Sequence, residues 1–207
     1  MLWLVLTAQL SAPVPTNLHD WFVANDFPPY LGAQSPHLWL VPIRIEVSPD
    51  GAITNCVVEA SSGERLLDKL TCDLVRKRAK FRAARWQDGS AGYGAYRTRV
   101  KWVIVDSPQS LPQIYYPDLD LFVKALPSGS STSMVRVMFS VDEQGHTSSC
   151  VAEPGGGIER AENLPALVPI ACEELLKSYT AVSAKDSSGR PVHSVQDALV
   201  LFSTKPQ

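Results

Sequence analysis

Val41-Pro-Ile-Arg-Ile-Glu-Val-Ser-Pro-Asp-Gly51 is the stretch on which the fold turns. Val41, Ile43, Ile45 and Val47 alternate with Pro42, Arg44 and Glu46, and strict period-2 apolar patterning marks a strand with one buried face. Ser48-Pro49-Asp50-Gly51 follows as a tight-turn signature, with glycine supplying a positive φ. Ninety-four residues later Val135, Val137, Phe139 and Val141 alternate in the same way, and Gly145, Cys150 and Val151 stand where Gly51, Cys56 and Val57 stood. The second cysteines, Cys72 and Cys172, are 100 residues apart, so the second copy carries a six-residue insertion. Beyond it the new offset holds for Ala84 and Ala184, Gly89 and Gly189, Val100 and Val200, and Trp102 and Phe202. Matching strand phase, turn glycines and both cysteines read as an internal repeat.

Each copy reads as strand, turn, strand, helix, strand. In the first, a second strand runs from about Ile53 to Ala60. Ser61-Ser62-Gly63-Glu64 has the spacing of a capping box. Leu67, Leu70 and Leu74 then share one helical face, with Lys69, Asp73 and Lys77 turned away. The last strand alternates Tyr96, Thr98, Val100, Trp102 and Ile104 with Arg97, Arg99, Lys101 and Val103, giving a core face and a basic, exposed face. In the second copy Pro165 and Pro169 delay the helix and place a proline near its first turn. Its last strand keeps Ala198, Val200 and Phe202 inward, and its outer face has Asp197, Leu199 and Leu201 in place of the basic residues. The predicted fold class is α+β: two tandem β-β-α-β units, each a small antiparallel sheet packed on one helix. The expected divisions are an exported leader over 1–12, an aromatic and proline-rich lead-in over 13–36, a first domain over 37–105, a linker over 106–129 and a diverged second domain over 130–207. The lead-ins Asp26-Phe27-Pro28-Pro29-Tyr30 and Tyr115-Tyr116-Pro117 are read either as segments docked on the sheet or as plain linkers.

The 207 residues are 45% hydrophobic, ordinary for a globular chain, and Lys+Arg 19 against Asp+Glu 21 gives near-neutral charge. That balance argues against nucleic acid as a partner. The apolar run from Met1 to Ala12 is about half the length a bilayer crossing needs and fits the apolar region of a secretory signal, with Ala8 and Ala12 as candidate cleavage points. A buried N-terminal strand or helix is the competing reading. No Lys or Arg precedes Arg44, so either the α-amine alone supplies the leader's positive charge or the start lies upstream. Cys56, Cys72, Cys150 and Cys172 form two local pairs with no Cys-x-x-Cys, which disfavours zinc ribbons and thioredoxin-like chemistry. An even count behind an export signal favours two disulfides, one per copy, in an oxidising compartment; four buried thiols is the alternative.

A search for chemistry finds none. No nucleophile elbow surrounds Ser61 and Ser62. Gly155-Gly156-Gly157 lacks the ending of a phosphate loop and aligns with Ser61-Ser62-Gly63, so it reads as a strand-to-helix turn. His19, His37, His146 and His193 are dispersed, with no metal-ligand spacing, and Asp118 and Asp120 have no companion groups in the sequence. The expectation is a non-catalytic protein with no metal and no small-molecule cofactor.

The ordered set of Asp50-Gly51, Ser61-Ser62-Gly63, Leu67-Asp68, Arg76, Phe81-Arg82-Ala83-Ala84 and Asp88-Gly89 resembles the C-terminal domain of TonB-type energy transducers. Ala83 departs from the family's Phe-x-Pro-Ala segment, and the cysteine pair resembles a disulfide-bearing subset. The resemblance covers residues 37–105 and reaches 130–203 only through the repeat. Family members carry an N-terminal membrane anchor and a proline-rich spacer. Here the 16 prolines are scattered, so the resemblance implies the fold and a periplasmic setting more firmly than energy transduction. It also implies recognition of a protein or peptide by strand addition to a sheet edge, with an outer-membrane receptor as one such partner. The edge implied is Tyr96, Arg97, Thr98, Arg99, Val100, Lys101, Trp102 and Val103. Arg97, Arg99 and Lys101 would suit an acidic segment, or would simply guard the edge against aggregation. A structural or scaffolding envelope protein without a transport role is the alternative function.

Overall fold

The computed structural model describes residues 10–34, 38–103, 116–127, 129–153 and 164–204. The first half contains β1 (Val14–Pro15), three short 3-10 turns between Leu18 and Gln34, β2 (Leu38–Val47), β3 (Ile53–Val58) and α1 (Arg65–Arg78). It continues with β4 (Phe81–Arg82), β5 (Ala84–Arg85) and β6 (Ala91–Val103). The second half contains β7 (Leu119–Phe122), β8 (Thr132–Val141), β9 (Thr147–Ala152), α2 (Leu164–Ser178), β10 (Ala184–Lys185), β11 (Pro191–Val192) and β12 (Ser194–Ser203). The mixed α+β character predicted from the alternation is present in both halves. Strand two stops at Val58, and the Gly155–Gly157 turn lies outside the described residues.

The period-2 segments bury the faces their patterns predict. Val41, Ile43, Ile45 and Val47 of β2 pack under Leu67, Leu74 and Val75 of α1, and Trp21 and Leu31 of the lead-in close the same core. The lead-in over 13–34 is therefore docked: Phe22 meets Trp102 at 5.3 Å between ring centroids, and Phe27 meets Trp39 at 6.2 Å. Asp26 fixes it by pairing with Arg78 of α1, one of whose bonds is 2.9 Å long. In the second half Val135, Val137, Phe139 and Val141 face Leu167, Ala171 and Leu175 of α2 and Val200 and Phe202 of β12.

The hairpin glycines do more than turn the chain. Gly51 has φ +85°, and a Cβ there would stand 2.6 Å from the Phe81 carbonyl oxygen; Gly145 (φ +90°) would meet the Ala181 oxygen at 2.8 Å. Each turn thus needs both the left-handed backbone and the empty space that only glycine gives.

The start of α1 differs from expectation. Glu64 is the N-cap residue and no side chain caps there. Instead the Asp68 carboxylate, inside the first turn, accepts from the Ser61 hydroxyl at 2.6 Å, the Ser62 hydroxyl at 2.6 Å and the Ser62 backbone N–H at 3.0 Å. Burial pushes the Asp68 carboxyl up, but these three donors outweigh it and hold it below the usual range.

Two expectations about organisation are corrected. The halves do not form two separate sheets. Their strands run in one sheet of order β3-β2-β6-β12-β8-β9, joined where Tyr93 and Gly94 pair in parallel with Ser194 and Val195. The linker over 106–129 is not only a linker: β7 lies inside it and pairs in parallel with β12, Leu119 to Phe122 opposite Val200 to Ser203. As a consequence Asp197 and Leu199, read as exposed, are 8% and 5% exposed.

Residues 1–9 of the apolar N-terminal run lie outside the described residues. Leu10 is buried against Ala84, Met138 and Val195 at the junction between halves. Ser11 exchanges two 2.9 Å backbone bonds with Arg85. Residues 10–12, assigned above to the leader, are part of the fold.

Both disulfides form as paired in the sequence: Cys56–Cys72 and Cys150–Cys172, with Cα atoms 5.7 and 5.5 Å apart and each joining a strand to a helix. No free cysteine remains. Loops of 16 and 22 residues each imply about 3 kcal/mol in the chain-entropy model. Cys56 and Cys72 belong to the buried core, whereas Cys150 and Cys172 are half-buried. Replacing the first pair by alanine should therefore cost about 1 kcal/mol more than replacing the second, read as a larger drop in urea midpoint; equal drops would contradict it. Asp68→Ala should cost about 2 kcal/mol at neutral pH, because it removes the acceptor of three hydrogen bonds. Since the folded pKa is depressed, that contribution is complete above about pH 4, the unfolded value. The wild-type advantage should shrink as pH falls through the folded pKa, measured by denaturation at several pH values.

Candidate partner-binding edge

β6 is built to be crossed. Its Gly92 and Gly94 allow Trp86 and Pro13 to lie directly on the backbone, since a Cβ at Gly92 would stand 2.3 Å from the Trp86 indole nitrogen and one at Gly94 2.5 Å from the Pro13 ring. Beyond Gly94 the strand carries side chains again. There it pairs with β2 along one edge, from Val47 opposite Gly94 to Leu38 opposite Val103.

The other edge corrects one expectation. β6 is not an outer strand; β3 and β9 end the sheet. β12, however, pairs with β6 only at Tyr93 and Gly94. It then takes β7 as its neighbour, and Asp118 seals the changeover. The Asp118 N–H donates to the Leu199 carbonyl at 2.7 Å, and the Asp118 carboxylate accepts from the Leu199 N–H at 2.8 Å. β6 and β12 therefore part like the arms of a fork. Along Tyr96–Val103 the ladder recorded among the described residues is with β2 alone.

A cleft of about 1120 Å³ opens at this fork, with Tyr96, Arg99 and Lys101 on one side and Arg136, Asp197 and Leu199 on the other. The basic stripe read from sequence divides in function within it. Arg97 is half-buried and committed to the fold. It lies 3.0 Å from Glu59 and 3.4 Å from Asp118, and donates to the Tyr179 hydroxyl at 2.5 Å. Burial disfavours its charge, but Tyr179, Glu59 and Asp118 together hold its pKa above the ordinary arginine value. Arg99 and Lys101 are exposed, and the Arg99 guanidinium lies 4.1 Å from the centre of the Tyr116 ring. On the core face of the strand Val100 and Trp102 are buried, and the Trp102 indole donates to Thr71 at 2.9 Å.

Across the cleft the charges are arranged differently. Arg136 of β8 pairs with Asp197 of β12, and Glu153 stands 3.8 Å away. Burial pushes the carboxyls of Asp197 and Glu153 up, against the pull of Arg136. Asp118, Arg136, Tyr179 and Asp197 were not legible as a group, because they are 18 to 43 residues apart between neighbours in sequence order or sit in segments read as linker or surface. The weak signal available was Asp118 in a stretch otherwise rich in proline and serine. Among the described residues no group of His, Cys, Asp and Glu is placed to hold a metal. His146 is an exposed turn residue bonded to Asp142 at 2.9 Å.

Residues 40–104 match the family model of the Gram-negative bacterial TonB protein C-terminal domain. The match covers less than half of the chain and spans the segment from β2 to the end of β6, so this part of the chain is similar to that family. No curated protein and no solved structure matches the chain. No helix among the described residues is long and apolar enough to cross a membrane.

Arg97 should behave as a structural group. A double-mutant cycle of Arg97→Met and Tyr179→Phe should show a coupling of about 1 kcal/mol in folding free energy. Additive losses in equilibrium unfolding would show that the contact contributes nothing.

Proposed function

We propose that this chain is a non-catalytic, exported protein of the bacterial periplasm that binds a protein or peptide segment by strand addition along Tyr96–Val103 of β6. The observation that carries this is the fork: β6 loses β12 after Gly94, so the backbone of a strand within the TonB-like segment is left with one ladder among the described residues. Backbone groups on such an edge supply affinity, and alternate side chains supply selectivity. Two disulfides are in keeping with an oxidising compartment. An outer-membrane receptor segment is the partner in this reading, which places the protein in TonB-dependent transport.

The two halves are further proposed to be tandem copies, over 37–105 and 130–207. The hairpin glycines 94 residues apart each meet a carbonyl oxygen, and those carbonyls are 100 residues apart, as the cysteine-to-strand offset requires. The charges in the cleft follow the same correspondence. Arg97 on the last strand is answered by Asp197, and the positive partner of the second set, Arg136, has moved to β8.

A second reading, a scaffolding envelope protein, is favoured by the shared sheet, in which each half already supplies the other's neighbour strand. The two readings are separated by immobilising receptor N-terminal peptides. Under strand addition the chain is retained, and amide exchange slows within Tyr96–Val103 on binding. Failure to retain it, with exchange on β6 unchanged, would reject the transport reading and leave the scaffold.

A further inference from the structure

The molecule already contains one added strand, and it lies on the counterpart of the proposed site. β7 runs parallel along β12, with Leu119 to Phe122 opposite Val200 to Ser203 and Asp118 bonded to Leu199. At the 100-residue offset, Leu199 to Ser203 correspond to Arg99 to Val103 of β6. In each half the first hairpin strand, β2 or β8, holds one edge of the last strand. β7 therefore occupies on β12 the edge that corresponds to the forked edge of β6.

The side chains of β7 do not match the strand they lie on as well as they would match β6. Partners in a parallel ladder present side chains to the same face. Leu119 and Leu121 pack into the second core beside Val200 and Phe202; the corresponding row on β6 is Val100 and Trp102. Asp120 stands opposite Leu201 and Asp118 beside Leu199, both apolar. The corresponding positions on β6 are Lys101 and Arg99, both cationic and both exposed.

We propose that the segment recognised by β6 is a parallel strand of alternating acidic and apolar residues, of the pattern Asp-Leu-Asp-Leu-Phe. Its two carboxylates meet Arg99 and Lys101, and its apolar residues extend the row of Val100 and Trp102. The proposal rests on the strand-addition reading above and adds to it the side-chain pattern and direction of the partner. The carboxylate nearer the start of the segment replaces the Tyr116 ring at Arg99.

The test uses the whole disulfide-bonded chain and labelled octapeptides in fluorescence anisotropy. The probe is Tyr-Pro-Asp-Leu-Asp-Leu-Phe-Val, the sequence of residues 116–123, with counterparts in which both Asp are Asn or both are Lys. The acidic peptide should bind at least about tenfold more tightly than the Asn peptide at low salt, with the difference narrowing as salt rises. In R99E/K101E the order should invert in favour of the Lys peptide, and in R99Q/K101Q the preference should vanish while binding persists. Equal binding of the acidic and Asn peptides overturns the acidic pattern and leaves strand addition standing. Binding by none of the three overturns both. Unchanged preference in R99E/K101E shows that the peptide has exchanged with β7 on β12, which also overturns the proposal.

Discussion

The four-residue seam in which Tyr93 and Gly94 pair with Ser194 and Val195 is the contact on which the shape of the molecule depends. It is short, yet it joins β3-β2-β6 and β12-β8-β9 into one sheet. Its surroundings explain why it holds. Leu10, Ala84, Met138 and Val195 close over it as a small apolar cluster, and Trp86 stacks on His193 with 4.4 Å between ring centroids. Gly92 and Gly94 admit Trp86 and Pro13 against the strand at this point. Side chains at those two positions would hold the covering segments away and leave the seam open to water.

Burial of charge ties the halves together a second time. On the face of β2 turned away from α1, Arg44 and Glu46 are 6% and 0% exposed, and they lie 2.9 Å apart. An isolated buried ion pair is weakly favourable at best, because desolvation opposes the attraction. Here the other half supplies further bonds: Arg44 donates to the Val182 carbonyl at 2.9 Å, and the Lys185 N–H donates to the Glu46 Oε2 at 3.1 Å. Thr54 donates to the Lys185 carbonyl at 2.8 Å. The segment 182–185 of the second half thus covers the polar back of the first sheet, while β5 and the N-terminal strap cover that of the second. Neither half exposes the same surfaces that it would alone, so a function assigned to one half acts in a frame built by both.

The strand fork follows from competition for one edge. β12 can accept a single neighbour on the side away from β8. β6 takes it at Ser194 and Val195, and β7 takes it from Val200 onward. Asp118 bonds both backbone groups of Leu199, where the change occurs. A segment composed like a linker therefore decides that, among the described residues, β6 has no second ladder along Tyr96–Val103. The same side chain reaches Arg97, which removes one of three basic residues from the surface and leaves Arg99 and Lys101 to characterise the edge.

Local pattern was enough to read much of this protein. The alternation in Val41–Val47 and Val135–Val141, the turn glycines, the amphipathic run around Leu67 and Leu74 and the pairing of cysteines are all set by near neighbours, and near neighbours are what a sequence displays. The helix start was misread because Ser61 and Ser62 have two acidic groups within reach. Only the folded backbone brings Asp68, rather than Glu64, to them. The sequence by itself determined the long strands, the helices and the disulfides of each half, since period, turn chemistry and spacing fix those locally. The tertiary structure alone decided that the halves share a sheet, that β7 displaces β6 from β12, and that Arg97 is spent on Glu59, Asp118 and Tyr179. Those outcomes depend on which of several suitable edges and charges meet across the chain, and on the desolvation that follows when they do.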